Sequence, residues 1–354
     1  RIPNSDAYVV KLLHANGAVL LGKTITTEFA DGHPPDTKNP WDTNRTPGGS
    51  STGSAVAVAT RMLPYALGTQ TVGSVLRPAA YNGIVGLKPT YGLISKAGVI
   101  PQSNSCDTVG ILCRNVIDAT MILKSIAGYD PNDQHSSIKA DSFEIDYSFS
   151  NLIPKIGFLS KYFIDESDEN VKQSTLTALK SLSNQGAIID EIDIKIDFPS
   201  GFKFHRIVQQ SEMAQWHKPL YLKYADKYKA ITLEYIKSGF SQNATEYINA
   251  LEFRNQMRKV AIDALKSFDV LMMPTASGLP PKDLSRTGDT RFQSPWTFTG
   301  LPSIAIPAGL SEDGLPQSIQ LVSEPFKEKK LLNAAKWVES VLGTLPAPKV
   351  KEAL

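Results

Sequence analysis

Apolar positions along the chain recur with two periods, and the alternation between them outlines the fold. Val9, Leu12 and Leu13 lie three and four apart, which predicts a helix from Ser5, as cap, to about Asn16, with Gly17 as its stop. Ala18–Leu21 is an unbroken apolar run and reads as a buried strand. The Ala/Val-rich stretch Ser54–Leu63 predicts a short buried helix ended by Pro64. Short strands are expected at Gly83–Leu87 and Gly92–Ser95, a turn at Asp107–Gly110, and an amphipathic helix over Arg114–Ile126. Asp130–Ser150 is polar and reads as an exposed connection.

A β-α-β unit follows, with strands at Ile156–Leu159 and Ala187–Ile192 around a helix from about Asp168 to Asn184. Gln209–Leu265 reads as long helices covering a sheet. Val270–Met273 is a further strand, and Ser303–Pro307 with Gln317–Val322 forms a hairpin through Glu312-Asp313-Gly314. The final helix, Lys327–Leu342, sets Leu331, Ala335, Val338 and Leu342 on one face. Strands interleaved with helices predict an α/β fold, a mixed twisted sheet covered by helices on both faces. One domain over 1–354 is expected: a core at 1–130, a connection at 131–155, the rest of the sheet and its helical cover at 156–343, and a tail at 344–354. A helix and strand so close to Arg1, with no Met, lead us to expect that N-terminal elements of the sheet are absent.

Composition narrows the class without naming an activity. The 354 residues are 42% apolar and 20% charged, as in ordinary globular proteins. A net charge of +2 offers no footprint for nucleic acid or an anionic membrane, so neither is expected as a partner. Two cysteines, Cys106 and Cys113, without a Cys-x-x-Cys pattern, argue against a disulfide framework or a zinc site and suit a cytoplasmic location. Neither a metal nor a cofactor is expected.

Chemistry concentrates between Pro47 and Thr90. Ser50 and Ser51 follow Gly48-Gly49, and Ser74 follows Gly73. Glycine lets main-chain N–H groups approach a ligand closely, and successive N–H groups can cradle an oxyanion. Gly49-Ser50-Ser51-Thr52-Gly53 matches the nucleophile-elbow pattern, but a turn precedes it where that motif needs a strand. A Ser-His-Asp triad would have to draw on His135, His205 or His217, none of which stands in a distinguishing pattern.

The block as a whole resembles the amidase signature family. The resemblance rests on Pro47-Gly48-Gly49-Ser50-Ser51 with Gly53-Ser54-Ala55, on Gly68 to Ser74, on Arg77-Pro78-Ala79-Ala80, on Gly83 to Gly92 and on Asp107-Thr108-Val109-Gly110. It reaches back to Leu21-Gly22-Lys23-Thr24 and forward to Gly300-Leu301-Pro302 and Gly314-Leu315-Pro316, nearly the whole chain. The family works with a Ser-Ser-Lys triad. The resemblance implies that Ser74 is the nucleophile and that Ser50, preceded by a cis peptide bond, bridges it to the base. The backbone of Thr71, Val72, Gly73 and Ser74 would form the oxyanion hole, where losing one donor typically costs roughly 3–4 kcal/mol of barrier. A neutral, desolvated lysine can act as base. Ser51, Gln70 and Trp296 are the candidate substrate-pocket residues.

Three departures qualify what the resemblance implies. The segment that carries the family's catalytic lysine has no counterpart in this chain. Lys23 matches a different position, and Lys88 matches a structural one. Little turnover is therefore expected of the chain itself. Val72 stands where many members have glycine, so either its backbone is not left-handed or the loop is strained. Gln70 with Leu76-Arg77-Pro78 points to general amidases rather than to the A component of the glutamyl-tRNA amidotransferase. The implied reaction is hydrolysis of a small-molecule carboxylic amide to acid plus ammonia or amine, with a homodimer as the candidate assembly. The alternatives are a non-catalytic protein of the same fold and an amidotransferase A-type subunit. Cys106 reads as a packed thiol.

Overall fold

The computed structural model describes residues 2–349 apart from 32, 147, 150 and 151. In chain order the elements begin with α1 (Tyr8–Ala15), α2 (Thr52–Ala59), β1 (Tyr65–Gln70), α3 (Leu76–Asn82), β2 (Val85–Lys88), β3 (Thr108–Cys113) and α4 (Val116–Ile126). They continue with β4 (Lys155–Leu159), α5 (Glu169–Asn184), β5 (Ile188–Ile192), α6 (Phe198–Tyr224), α7 (Ala230–Ser241) and α8 (Ala244–Leu265). The last five are β6 (Val270–Pro274), α9 (Ser294–Phe298), β7 (Ser303–Leu310), β8 (Pro316–Val322) and α10 (Glu328–Leu342).

The strands form one mixed sheet in the order β1-β3-β2-β7-β8-β6-β4-β5. β4 runs parallel to both β5 and β6, and the other pairs are antiparallel. Strand side chains alternate between faces, and β6 shows the result. Val270 and Met272 enter the core beneath α4, α5 and α10, whereas Leu271 and Met273 enter the core beneath α6, α8 and α9. The α10 stripe of Leu331, Ala335 and Val338 is fully buried, as its spacing requires. Each fully buried Leu or Val contributes about 1.5–3 kcal/mol relative to exposure. A third, small-residue cluster joins Ala55, Val58 and Ala59 of α2 to Val75, Leu76 and Ala79 at and beside α3. It brings the two serine-bearing loops to one end of the sheet.

The β-α-β unit, the β7–β8 hairpin and α10 match the sequence expectation within a few residues. Other elements differ for identifiable reasons. α1 begins at Tyr8 with Ala7 as cap, so Ser5 caps nothing. Ala18–Leu21 is not a strand: Val19, Leu20 and Leu21 are exposed, and the stretch lacks a neighbouring strand among the described residues. α2 lies two residues earlier than expected and ends at Thr60, followed by Arg61 with φ 64°, before Pro64 is reached. Gly92–Ser95 forms no strand.

The expected turn at Asp107–Gly110 is the start of β3. Gly110 is needed there for close packing, since a Cβ would lie 2.8 Å from the Leu87 carbonyl. The polar 130–150 connection is tied down rather than loose. Ser95 Oγ donates to Asp130 at 2.6 Å, and the Lys96 N–H donates to Asp133 at 2.7 Å. The connection's own Ala140 and Ile145 are buried.

β1 ends the sheet, and α2 packs against both β1 and β3. Ser54 Oγ donates to the Leu67 carbonyl at 2.8 Å, and Ser51 Oγ reaches the Thr69 carbonyl at 3.4 Å. Gly68 has no side chain because Ser51 occupies the space a Cβ would need.

Candidate active site

The first serine loop enters α2. Gly48 has φ 78°, and a Cβ there would stand 3.0 Å from Pro78 Cα, so the backbone itself approaches α3. The Gly49–Ser50 peptide bond is cis. The Ser50 carbonyl accepts from Thr26 Oγ1 at 2.8 Å and from the Thr27 N–H at 3.3 Å. The second loop leaves β1 and enters α3, carrying Ser74. The two loops meet through the main chain, where the Ser51 N–H donates to the Ser74 carbonyl at 3.3 Å. Ser50 and Ser74 are 3% and 8% exposed, so both residues are buried rather than set on an open surface.

The loop Thr71–Ser74 is held from beneath. Thr71 Oγ1 donates to Asp107 at 2.5 Å, and the other oxygen of that carboxylate accepts from the N–H groups of Gln102 and Ser103. Burial raises the Asp107 pKa, against the lowering effects of Lys96 and these hydrogen bonds. Among the described residues no protein acceptor engages the N–H groups of Val72, Gly73 or Ser74. Three successive unengaged donors are what a developing oxyanion requires. Val72 has no positive φ, so it fits the loop without the strain its β-branched side chain would bring to the left-handed region. Gly73 is constrained by contact instead, since a Cβ would lie 2.5 Å from Gln293 Oε1.

Of the residues expected to border substrate, three belong to the framework. Ser51 is the joint between the loops, its N–H spent on Ser74 and its hydroxyl turned to β1. Gln70 is wholly buried, and its Oε1 accepts from the N–H groups of Val75 and Leu76 at 2.9 Å each. Trp296 is 0% exposed and stacks on Phe163 at 6.3 Å in an aromatic cluster with Phe198 and Phe292. These corrections share one cause: nearness in sequence to a loop does not give the direction of a side chain.

No base stands beside the serines among the described residues. Lys23 is exposed and bonded to neither serine. Lys88 is fully buried and pushed down to about 7 by burial, but its Nζ donates to the Pro89 carbonyl. Its neighbour there is Glu328, whose Oε1 accepts the Thr90 N–H. Burial and then Arg206 hold His205 down to about 3, and its Nδ1 pairs with Ser294 Oγ at 2.8 Å. His217 is lowered by burial to about 4 and pairs with Tyr228. His135 packs near Tyr91, away from both loops. Burial, then Glu212, pushes the Cys106 thiol up to about 12, the behaviour of a packed thiol. No group of three or more His, Cys, Asp or Glu among the described residues could hold a metal ion. Nor is any described helix long and apolar enough to cross a membrane.

Two features escaped sequence reasoning. Arg77 is buried and forks across the site: Nη2 donates to the Gly49 carbonyl at 2.5 Å and to Thr287 Oγ1 at 2.8 Å, and Nη1 to the Gly288 carbonyl at 2.6 Å. It fixes the residue before Ser50 to the 287–288 turn. Asp31 follows two residues of positive φ, Phe29 and Ala30, and accepts from Gln209 at 3.2 Å, while Arg206 donates to Gln209 at 2.8 Å. Burial raises the Asp31 carboxyl pKa, with Arg206 opposing it. No periodicity marks either residue.

The chain is similar to known proteins along most of its length. A family model described as Amidase matches residues 1–332. The A component of the glutamyl-tRNA(Gln) amidotransferase from Alkaliphilus metalliredigens is 33% identical over an alignment 384 positions long, taking in 97% of this chain and 77% of the relative. A solved chain from a vestigial protein complex bearing on the evolutionary origins of an s-triazine catabolic enzyme superposes with a TM-score of 0.87 at 28% identity. That match covers 98% of this chain and 79% of the other. The native peptide amidase of Stenotrophomonas maltophilia superposes with a TM-score of 0.81 at 28% identity, covering 98% and 78%. Gln70 and Leu76-Arg77-Pro78 thus do not keep an amidotransferase component from matching along nearly the full length.

Proposed function

Because the chain belongs to the amidase family, we propose that it is built for serine-based cleavage of carboxylic amides, with Ser74 as nucleophile and Ser50 as its proton relay. Ser74 Oγ attacks the amide carbon as its proton passes to Ser50 and on to a base. The carbonyl oxygen becomes an oxyanion facing the N–H groups of Val72, Gly73 and Ser74. Collapse breaks the C–N bond, the nitrogen takes up a proton and leaves as ammonia or amine, and the acyl group stays on Ser74. Water then attacks the ester, and the acid departs with Ser74 Oγ–H restored.

The observation that carries this reading is the Ser51 N–H bond to the Ser74 carbonyl, which holds the two serine loops against each other. A serine hydroxyl at neutral pH needs a base, and none touches the pair among the described residues. We therefore expect slow turnover from residues 1–354 alone. A fluorophosphonate probe should modify Ser74 and spare S74A. Amide hydrolysis undiminished in S74A would refute the assignment.

A second reading, an amidotransferase A-type subunit that hands ammonia to a partner protein, draws support from the 33% identity to such a component over 97% of the chain. Co-purification with a partner, and transfer of glutamine-derived ammonia only in its presence, would favour it over free hydrolysis.

A further inference from the structure

We propose that Gln70 and Thr297 form one hydrogen-bond circuit that sets the two peptide planes flanking Gly73-Ser74, making both of them positioning residues for the nucleophile loop. The inference rests on the reading of Ser74 as nucleophile.

The circuit follows from counting protons. Gln70 Oε1 accepts the N–H groups of Val75 and Leu76, which leaves its Nε2 facing Thr297 Oγ1 at 2.8 Å. A threonine hydroxyl has a single proton, and Thr297 offers it to the Val72 carbonyl at 2.7 Å, with the Gln293 carbonyl further off at 3.2 Å. Its lone pair must therefore receive the Gln70 N–H. Both side chains are buried, at 0% and 2% exposure, so no water competes for these partners. The path runs Val72 carbonyl, Thr297, Gln70, Val75 N–H, and it encloses only Gly73 and Ser74.

Each end of the path orients a peptide plane, because in a trans peptide the C=O and N–H point to opposite sides. Holding the Val72 carbonyl toward Thr297 turns the Gly73 N–H the other way, as an oxyanion donor. Holding the Val75 N–H toward Gln70 turns the Ser74 carbonyl the other way, where it meets the Ser51 N–H. A Cβ on Gly73 would lie 2.5 Å from Gln293 Oε1 and 2.9 Å from Thr290 Cγ2, so beside α9 the loop passes where only glycine fits.

The amide is essential to this scheme. In Q70E one oxygen still accepts from Val75 and Leu76, but the other cannot donate. With that carboxylate ionised, at a pH above its titration, Thr297 must turn its proton to it and release the Val72 carbonyl. T297V removes the hydroxyl at nearly equal volume.

The test measures acylation of Ser74 by a fluorophosphonate, separating reversible binding from the covalent step, in folded variants of matched circular dichroism. Q70E and T297V should each slow the covalent step by about tenfold or more with binding little changed, as expected for a misdirected oxyanion donor. T297S should recover most of the loss, and the Q70E/T297V double variant should be no slower than the slower single variant. Folded single variants that acylate at the wild-type rate, or losses that add in full, would overturn the proposal. If the wild-type chain does not label at Ser74 for want of a base, amide hydrogen exchange decides the circuit by itself. Val75 and Leu76 should exchange slowly in the wild type and faster in Q70L, and equal exchange in both would overturn it.

Discussion

The Ser51 N–H and the Ser74 carbonyl meet at 3.3 Å, so the two serine loops are joined by main chain and not by side chains. The joint should therefore tolerate loss of the Ser51 hydroxyl, whose own bond to Thr69 is long at 3.4 Å. We expect S51A to cost about 1 kcal/mol or less in urea denaturation and to retain Ser74 labelling. A loss of labelling with stability intact would return Ser51 to the substrate pocket.

Thr71 and Asp107 tie the start of the loop to the turn before β3 through a 2.5 Å bond. T71V leaves one oxygen of a buried carboxylate without its donor, at a cost of about 1–3 kcal/mol. Thermal unfolding should show the loss, and T71S should reverse it. An unchanged melting temperature in T71V would mean that the bond adds nothing net.

Arg77 makes three bonds with a planar fork that an ammonium group cannot reproduce. R77K keeps the charge but frees the Gly49 carbonyl or the 287–288 turn. We expect a destabilisation of about 2–3 kcal/mol, together with weaker labelling of Ser74 because the backbone before Ser50 is no longer held. Wild-type stability and labelling in R77K would show that charge alone suffices.

His205 gives the protein an acid sensitivity of defined sign. Its folded pKa, about 3, lies below the ordinary value of 6.5, so between these limits the unfolded chain binds a proton that the native protein refuses. Stability should fall as the pH drops below 6.5, by roughly 2 kcal/mol at pH 5 from this residue. His217, lowered to about 4, acts in the same direction, so H205Q should flatten the profile only in part. An imidazole resonance of His205 titrating near pH 6.5 in the native protein would contradict the account.

How much of this was legible in the sequence depends on whether a signal is local. The β7–β8 hairpin and the α10 stripe were readable because alternation and helical spacing are properties of adjacent residues. Ala18–Leu21 was misread because an apolar run has strand character without disclosing whether a neighbouring strand exists. Gly110 reads as a turn residue, whereas its role is close packing against Leu87, a residue from another strand. The serine loops were visible as ordered glycine and serine runs. Their supports were not: Thr297 stands 227 positions from Gln70, and nothing in a short helix identifies the one hydroxyl that reaches back. Gln70 and Trp296 stand near the serine loops in sequence, but the chain does not disclose that both side chains are buried.

The serines along α2 have one more consequence. A strand at the end of a sheet ordinarily offers its outer carbonyls as a template on which another chain can pair and aggregate. On β1 the carbonyls of Leu67 and Thr69 already receive hydroxyl protons from Ser54 and Ser51. The helix that delivers the site's first serine loop is thus bonded to the end strand itself, so a change in α2 reaches the loop and the strand together.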